Sequence, residues 1–178
     1  DNIGYQSGGW TIHWQGGFGD ITPGTTILDA FKSAVVDSNS IHYSKDGSDL
    51  SRSDVVVVVV GEKPYSEGVG DRDSLHLSDE DLKLLKKVKN TNLPHVVILI
   101  SGRPMIIKEV IDDSDAFIAA WLPGTEGSGI SDVMFGDFDF TGKLSMTWPK
   151  SMKQIPINYG DNNYDPLFQF GFGLSYNK

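Results

Sequence analysis

Two glutamates in the stretch Glu62-Lys-Pro-Tyr-Ser-Glu67-Gly-Val-Gly-Asp71 are the residues of this chain best suited to moving a proton. A general acid or base needs a carboxyl held in a partly dry, shaped pocket, so that its pKa rises toward the working pH. Pro64, Tyr65, Gly68 and Gly70 offer a shaped loop of that kind around Glu67. A loop glutamate can equally be a solvated surface carboxylate, and the local sequence leaves both readings open. Glu62 competes for the role. Its place directly after an apolar run suits it better to bracing the loop, through backbone N–H groups or a nearby cation.

A second candidate is the aromatic segment Gly8-Gly-Trp10-Thr-Ile-His13-Trp14-Gln15. An indole in a glycine-rich loop can stack on the apolar C–H face of a sugar ring, although tryptophan serves equally well in a core or an interface. For Trp10 the two readings balance. Trp14 precedes Gln15-Gly-Gly17, an exposed context, and is the better stacking candidate. His13 stands alone, with no Asp/His cluster at ligand spacing, which argues against a metal. Other chemistries lack their motifs. Gly68-Val-Gly70 is short of a dinucleotide fingerprint, no Gly-Lys-Ser/Thr triplet marks a phosphate loop, and no Gly-x-Ser-x-Gly marks a hydrolase elbow. Gly124-Thr-Glu126-Gly-Ser-Gly129 can aim helix N–H groups at an anion, or simply let a helix start pack closely on the sheet.

Whatever aims Glu67 must be rigid, and the run Val55 to Val60 is the obvious element. Six successive valines without polar alternation suit a strand buried on both faces, as in a parallel sheet covered by helices. Such a strand delivers its loop to the carboxyl edge of the sheet, where α/β domains place ligands. His95 to Ser101 and Ala116 to Leu122 read as two further strands. Helices are expected over Thr26 to Val36, with Leu28, Phe31 and Val35 inward and Thr26/Asp29 as a capping box. Ser78 to Asn90 is the clearest helix, capped by Ser78 with Asp81, stapled by Leu77 and Leu82, and charged in the sense its dipole favours. Two more helices follow, one from Pro104 to about Asp113 and one ending near Gly136. Residues 1–24 read as a long loop, and Ser40 to Ser44 and Leu144 to Trp148 as short strands. Repeated strand–loop–helix order implies right-handed βαβ units and an α/β fold: a mostly parallel sheet flanked by helices in three layers.

With 178 residues and 39% hydrophobic content, residues 1–178 fit one domain with a real core, ending in an aromatic-rich tail over 149–178. Cysteine is absent, which excludes disulfides and thiolate metal sites. A formal net charge of −9 without a basic stripe argues against nucleic acid as a partner. No window is apolar enough for a membrane span. A neutral partner suits this composition, and the nine Phe, six Tyr and four Trp include several beside glycine in loops.

Seven motifs resemble, in order, the second domain of the family 3 glycoside hydrolases, the β-glucosidases and exo-β-glucanases. They are Asp1-Asn-Ile-Gly through Trp10-Thr-Ile-His-Trp14-Gln-Gly, Gly24-Thr-Thr-Ile-Leu28, Val60-Gly-Glu through Asp71, Leu99-Ile-Ser-Gly-Arg-Pro104, Ala119 through Gly127 with Met134 to Phe138, Phe140-Thr-Gly-Lys-Leu144, and Phe170-Gly-Phe-Gly-Leu174. The pattern is most similar to the plant-type broad-specificity β-glucan exohydrolases and their bacterial relatives. The resemblance implies a retaining enzyme in which a (β/α)8-like barrel supplies the aspartate nucleophile and this domain the acid/base, at a pocket between them. It places the acid/base on Glu67 and the outer-subsite stacking tryptophan on Trp14, with β-linked glucosides or oligosaccharides as substrates, no cofactor, and a secreted or periplasmic setting. Family members carry a strand ahead of the Asp-Asn-x-Gly motif, so the sheet is expected to lack its first strand. With the barrel also missing, the chain alone is expected to be inactive. The competing expectations are a non-catalytic carbohydrate-binding or scaffolding domain using the same aromatic loops, and, on topology alone, a flavodoxin-like nucleotide or flavin binder.

Overall fold

The valine run does become a strand that ends in the acidic loop. A computed structural model describes residues 1–176, in which β1 (Val56–Gly61), β2 (His95–Ile100) and β3 (Ala116–Trp121) form a parallel sheet in that order. Between β1 and β2 the register runs unbroken from Val56 opposite His95 to Gly61 opposite Ile100. Between β2 and β3 it shifts after Leu99, so that Ile100 pairs with Trp121, whose backbone takes φ 54°.

Helices cover both faces, giving the three layers expected of an α/β fold. On one side α3 (Asp79–Lys89) and α4 (Lys108–Asp113) make the crossovers between parallel strands, packing Leu85, Val88 and Val110 against Val58, Val97 and Leu99. On the other, α2 (Ile27–Ala34) and α5 (Ser128–Phe135) bury Ile27, Phe31 and Ile130 against Ile98 and Ile100. The caps form as the sequence predicts. The Thr26 hydroxyl accepts from the Asp29 N–H at 3.0 Å and donates to its carboxylate at 2.6 Å, and Ser78 treats Asp81 the same way at 3.1 and 2.9 Å. In α3, Asp79, Glu80 and Asp81 occupy the first turn and Lys86, Lys87 and Lys89 the last, complementing the helix dipole.

Several expectations are corrected, each where tertiary packing decides. The valines are not buried on both faces. Val56, Val58 and Val60 are buried, but Val59 is 42% exposed, because β1 is the edge of the sheet formed by the described residues. The segment 1–24 contains a short helix, α1 (Ile3–Ser7), capped by the Asn2 side chain accepting from the Tyr5 N–H at 3.0 Å. Ser40 to Ser44 is irregular after a single 3-10 turn at Ser38–Ser40, with the Asp37 carboxylate capturing the Asn39 N–H. Pro104 lies outside α4, which starts at Lys108. Met105, Ile106 and Ile107 are instead buried ahead of the helix, where the Ile106 N–H bonds the Leu75 carbonyl at 2.8 Å. Leu144 to Trp148 forms an isolated antiparallel bridge, Trp148 with Phe168, in place of a strand. In α2 the buried residues are Ile27, Ala30 and Phe31, while Leu28 and Val35 are only half-buried. Leu82 of the expected staple stays exposed, so burial of α3 falls to Leu85 and Val88.

Among the described residues no helix is long and apolar enough to cross a membrane. Leu99 has no exposed surface, so Leu99→Ala is expected to cost about 2–5 kcal/mol of unfolding free energy. Val59→Ala, on the open face, is expected to cost about 1 kcal/mol or less. Urea titrations of the two variants check the assignment of core and edge.

Candidate active site

Parallel strands send all their following loops to one edge of the sheet, and three such loops meet here. The residues after β1 (Glu62 to Glu67), after β2 (Gly102) and after β3 (Leu122) line a cleft of about 220 Å³, closed on the remaining side by Gly8, Gly9 and Trp10. Glu67 opens a 3-10 turn, Glu67–Gly70, with its side chain exposed at the cleft. Among the described residues it makes no ion pair.

Glu62 is its opposite. The side chain is 3% exposed, and its Oε1 meets Arg103 Nε at 3.0 Å, Arg103 Nη2 at 2.9 Å and Arg72 Nη2 at 3.2 Å. Its other oxygen accepts from the Tyr65 hydroxyl at 3.1 Å. The Arg103 guanidinium lies over the Tyr65 ring, 4.5 Å from its centre. The expectation that Glu62 braces the loop through a cation describes this geometry. Burial pushes the Tyr65 phenol up from its ordinary 10 to about 12; the Glu62 carboxylate adds to the shift, and Arg103 opposes it.

The amino-terminal segment is fastened to the acidic loop. Gln15 Oε1 accepts from the Ser66 N–H at 3.1 Å. Gly9 lies so close that a Cβ there would stand 1.9 Å from the Tyr65 carbonyl oxygen, and only glycine allows that approach. Trp10 is 63% exposed and Trp14 55% exposed, and their rings sit 6.2 Å apart at 60°. Trp10 and Glu67 both hold positive φ, 66° and 47°, a strained backbone for residues with a Cβ and one that recurs at functional sites.

Glu67 and Trp10 therefore come together at one cleft. Trp14 is exposed beside Trp10 but stands outside the lining residues. Gly127 packs on the start of α2 rather than on the sheet, with its N–H bonded to the Thr25 carbonyl at 3.0 Å. No metal-holding group of His, Asp and Glu occurs among the described residues. Sequence reasoning does not single out Arg72, Arg103, Gly102 or Leu122. A signal for Gly102, Arg103 and Leu122 exists, since each closely follows a strand whose carboxyl end must face the same rim.

The family model for the glycosyl hydrolase family 3 C-terminal domain matches residues 1–176. The chain belongs to glycoside hydrolase family 3. This family 3 domain is 34% identical to a lysosomal beta glucosidase of Dictyostelium discoideum, over 99% of the chain and 25% of that protein. It is also 34% identical to a beta-xylosidase of Formosa agariphila, over 90% of the chain and 27% of the relative. Among solved structures, an exo-1,3/1,4-beta-glucanase from a Pseudoalteromonas species superposes on the whole chain at a TM-score of 0.92 and 41% identity, covering 24% of that chain. The chain thus spans about a quarter of the length of these relatives.

The Tyr65 phenol is neutral in the folded domain up to about pH 12, against 10 for an ordinary phenol. Its contribution to stability is therefore complete below about pH 10 and lost as pH rises toward 12. Tyr65→Phe is expected to flatten the fall in melting temperature across that window, checked by thermal melts from pH 9 upward.

Proposed function

We propose that this chain is the acid/base-bearing domain of a retaining, exo-acting β-glucosidase or β-glucan glucohydrolase. Glu67 protonates the glycosidic oxygen as the bond breaks. It then removes a proton from the water that releases the glycosyl-enzyme. The Trp10–Trp14 pair forms the aromatic wall, with Trp14 stacking on the outer sugar. The family assignment, and relatives named as glucosidase, xylosidase and glucanase, support this class of substrate.

One observation carries the proposal furthest. Retaining glycoside cleavage takes two carboxyl groups about 5–5.5 Å apart, one as acid/base and one as nucleophile, and the cleft is lined by two glutamates, Glu67 and Glu62. Glu62 is committed to two arginines and a phenol, which leaves Glu67 as the carboxyl available for proton transfer. We assign the nucleophile to a second module seated over the rim, the barrel that the family resemblance implies. Exposed apolar side chains on the same two loops, among them Ile12, Phe18 and Val69, give that module a surface to cover.

The chain alone is expected to leave an aryl β-glucoside intact, and pairing it with a family 3 barrel domain is expected to restore turnover. In the paired enzyme Glu67→Gln should lower kcat on an alkyl β-glucoside by about 10²–10⁴-fold. Turnover by the chain alone that disappears in Glu67→Gln would show the barrel to be unnecessary. Binding of β-glucan with no activity in any pairing would favour a carbohydrate-binding module instead. Trp14→Ala is expected to raise KM about 5–10-fold with a smaller change in kcat, the loss of one stacking contact.

A further inference from the structure

Glu67 carries no side-chain anchor of its own, yet proton transfer tolerates displacements of only about 1 Å before rates fall steeply. The turn that bears it is short, with the Asp71 N–H bonded to the Gly68 carbonyl at 3.1 Å. Gln15 holds the Ser66 N–H on one side of it, and beyond that contact the chain on both sides of the turn leads to one carboxylate, that of Glu62.

We propose that Glu62 is the positioning residue for Glu67, acting by closing the loop from 62 to 72 on its own first residue; this rests on the assignment of Glu67 as acid/base. The Glu62 backbone is the last point fixed by the sheet, its N–H bonded to the Ile100 carbonyl at 2.9 Å. From there the Glu62 carboxylate holds Tyr65, two residues before Glu67, through the phenol at 3.1 Å. It holds Arg72, five residues after Glu67, at 3.2 Å. Arg103 completes the grip from the loop after β2, where Ser101 Oγ donates to the Arg103 carbonyl at 2.7 Å. Arg72 Nη2 also donates to the His76 carbonyl at 3.3 Å, which carries the anchor toward the start of α3. The two tethers converge on a carboxylate that solvent barely reaches, although the Arg72 side chain itself is 40% exposed. Glu62 touches no reacting atom in this arrangement. It sets where Glu67 stands.

The test uses the enzyme with its barrel domain and reads kcat/KM for two β-glucosides, one with a poor alkyl leaving group and one with 2,4-dinitrophenolate, which departs without protonation. Glu67→Gln serves as the reference, with its loss confined to the alkyl substrate. Glu62→Gln is expected to lower kcat/KM for the alkyl glucoside about 10–100-fold and to change the dinitrophenyl glucoside less than about 3-fold. In hydrogen exchange on the same protein, the amides of Ser66 and Asp71 should speed while those of β2 stay protected. Equal losses on both substrates, or faster exchange in β2, would make Glu62 a support of the fold alone and overturn the proposal. Should Glu62→Gln fail to fold, Arg72→Gln releases only the far tether. It is expected to show the same leaving-group pattern at about 3–10-fold, and its absence would equally overturn the proposal. A Glu67→Gln enzyme that slows both substrates alike would instead refute the acid/base assignment, and the positioning role with it.

Discussion

A carboxylate withdrawn from water is tolerable only among donors and opposite charge, and at Glu62 that requirement organises the whole rim. The donors cannot come from the side chains of β1, which are valines ending in a glycine. They arrive from Tyr65 and Arg72 on the loop that follows and from Arg103 after β2. Satisfying one buried charge therefore joins the ends of two neighbouring strands and folds the acidic loop back on its origin. Breaking such a cluster by removing one partner leaves an unpaired buried charge, which typically costs about 3–5 kcal/mol. Its geometry is accordingly among the least adjustable features of the surface.

The two glutamates of one loop thus diverge in character through their surroundings. Both follow the same rigid strand and both reach the same cleft. Glu62 is enclosed and paired, while Glu67 is exposed at a strained backbone position and unpaired among the described residues. One carboxyl of the cleft is thus committed to its neighbours and the other left available, which is the asymmetry the proposed function uses.

Much of this is readable in the sequence where the signal is local. The capping pairs Thr26/Asp29 and Ser78/Asp81 form as written because each needs only three residues of spacing. The three strands are legible because apolar runs of that length have few other uses. What fails depends on distant neighbours. Val59 is exposed because α2 and α5 pack over Ile98 and Ile100 and leave that face of the edge strand β1 open, and nothing within the valine run encodes that. Leu144 to Trp148 has strand composition but meets its partner, Phe168, only at an isolated bridge. The arginines that hold Glu62 lie ten and forty-one residues away in sequence, so its brace could be expected while its partners could not be named. For Trp10, composition leaves core and exposure in balance; the positive φ that turns it outward is set by a loop closing on Trp14, whose carbonyl accepts the Trp10 N–H at 3.0 Å.

Gly9 sits against the Tyr65 carbonyl with no room for a methyl group, and Gln15 holds the Ser66 amide. The aromatic loop is pinned at these two points, and the residues between them face outward. Variation can accumulate at Trp10, Thr11, Ile12, His13 and Trp14 without disturbing either fastening or the apolar layers below. Under the function proposed above, a lineage could in this way retune its sugar preference by editing a five-residue window, leaving the Glu62–Glu67 loop as inherited.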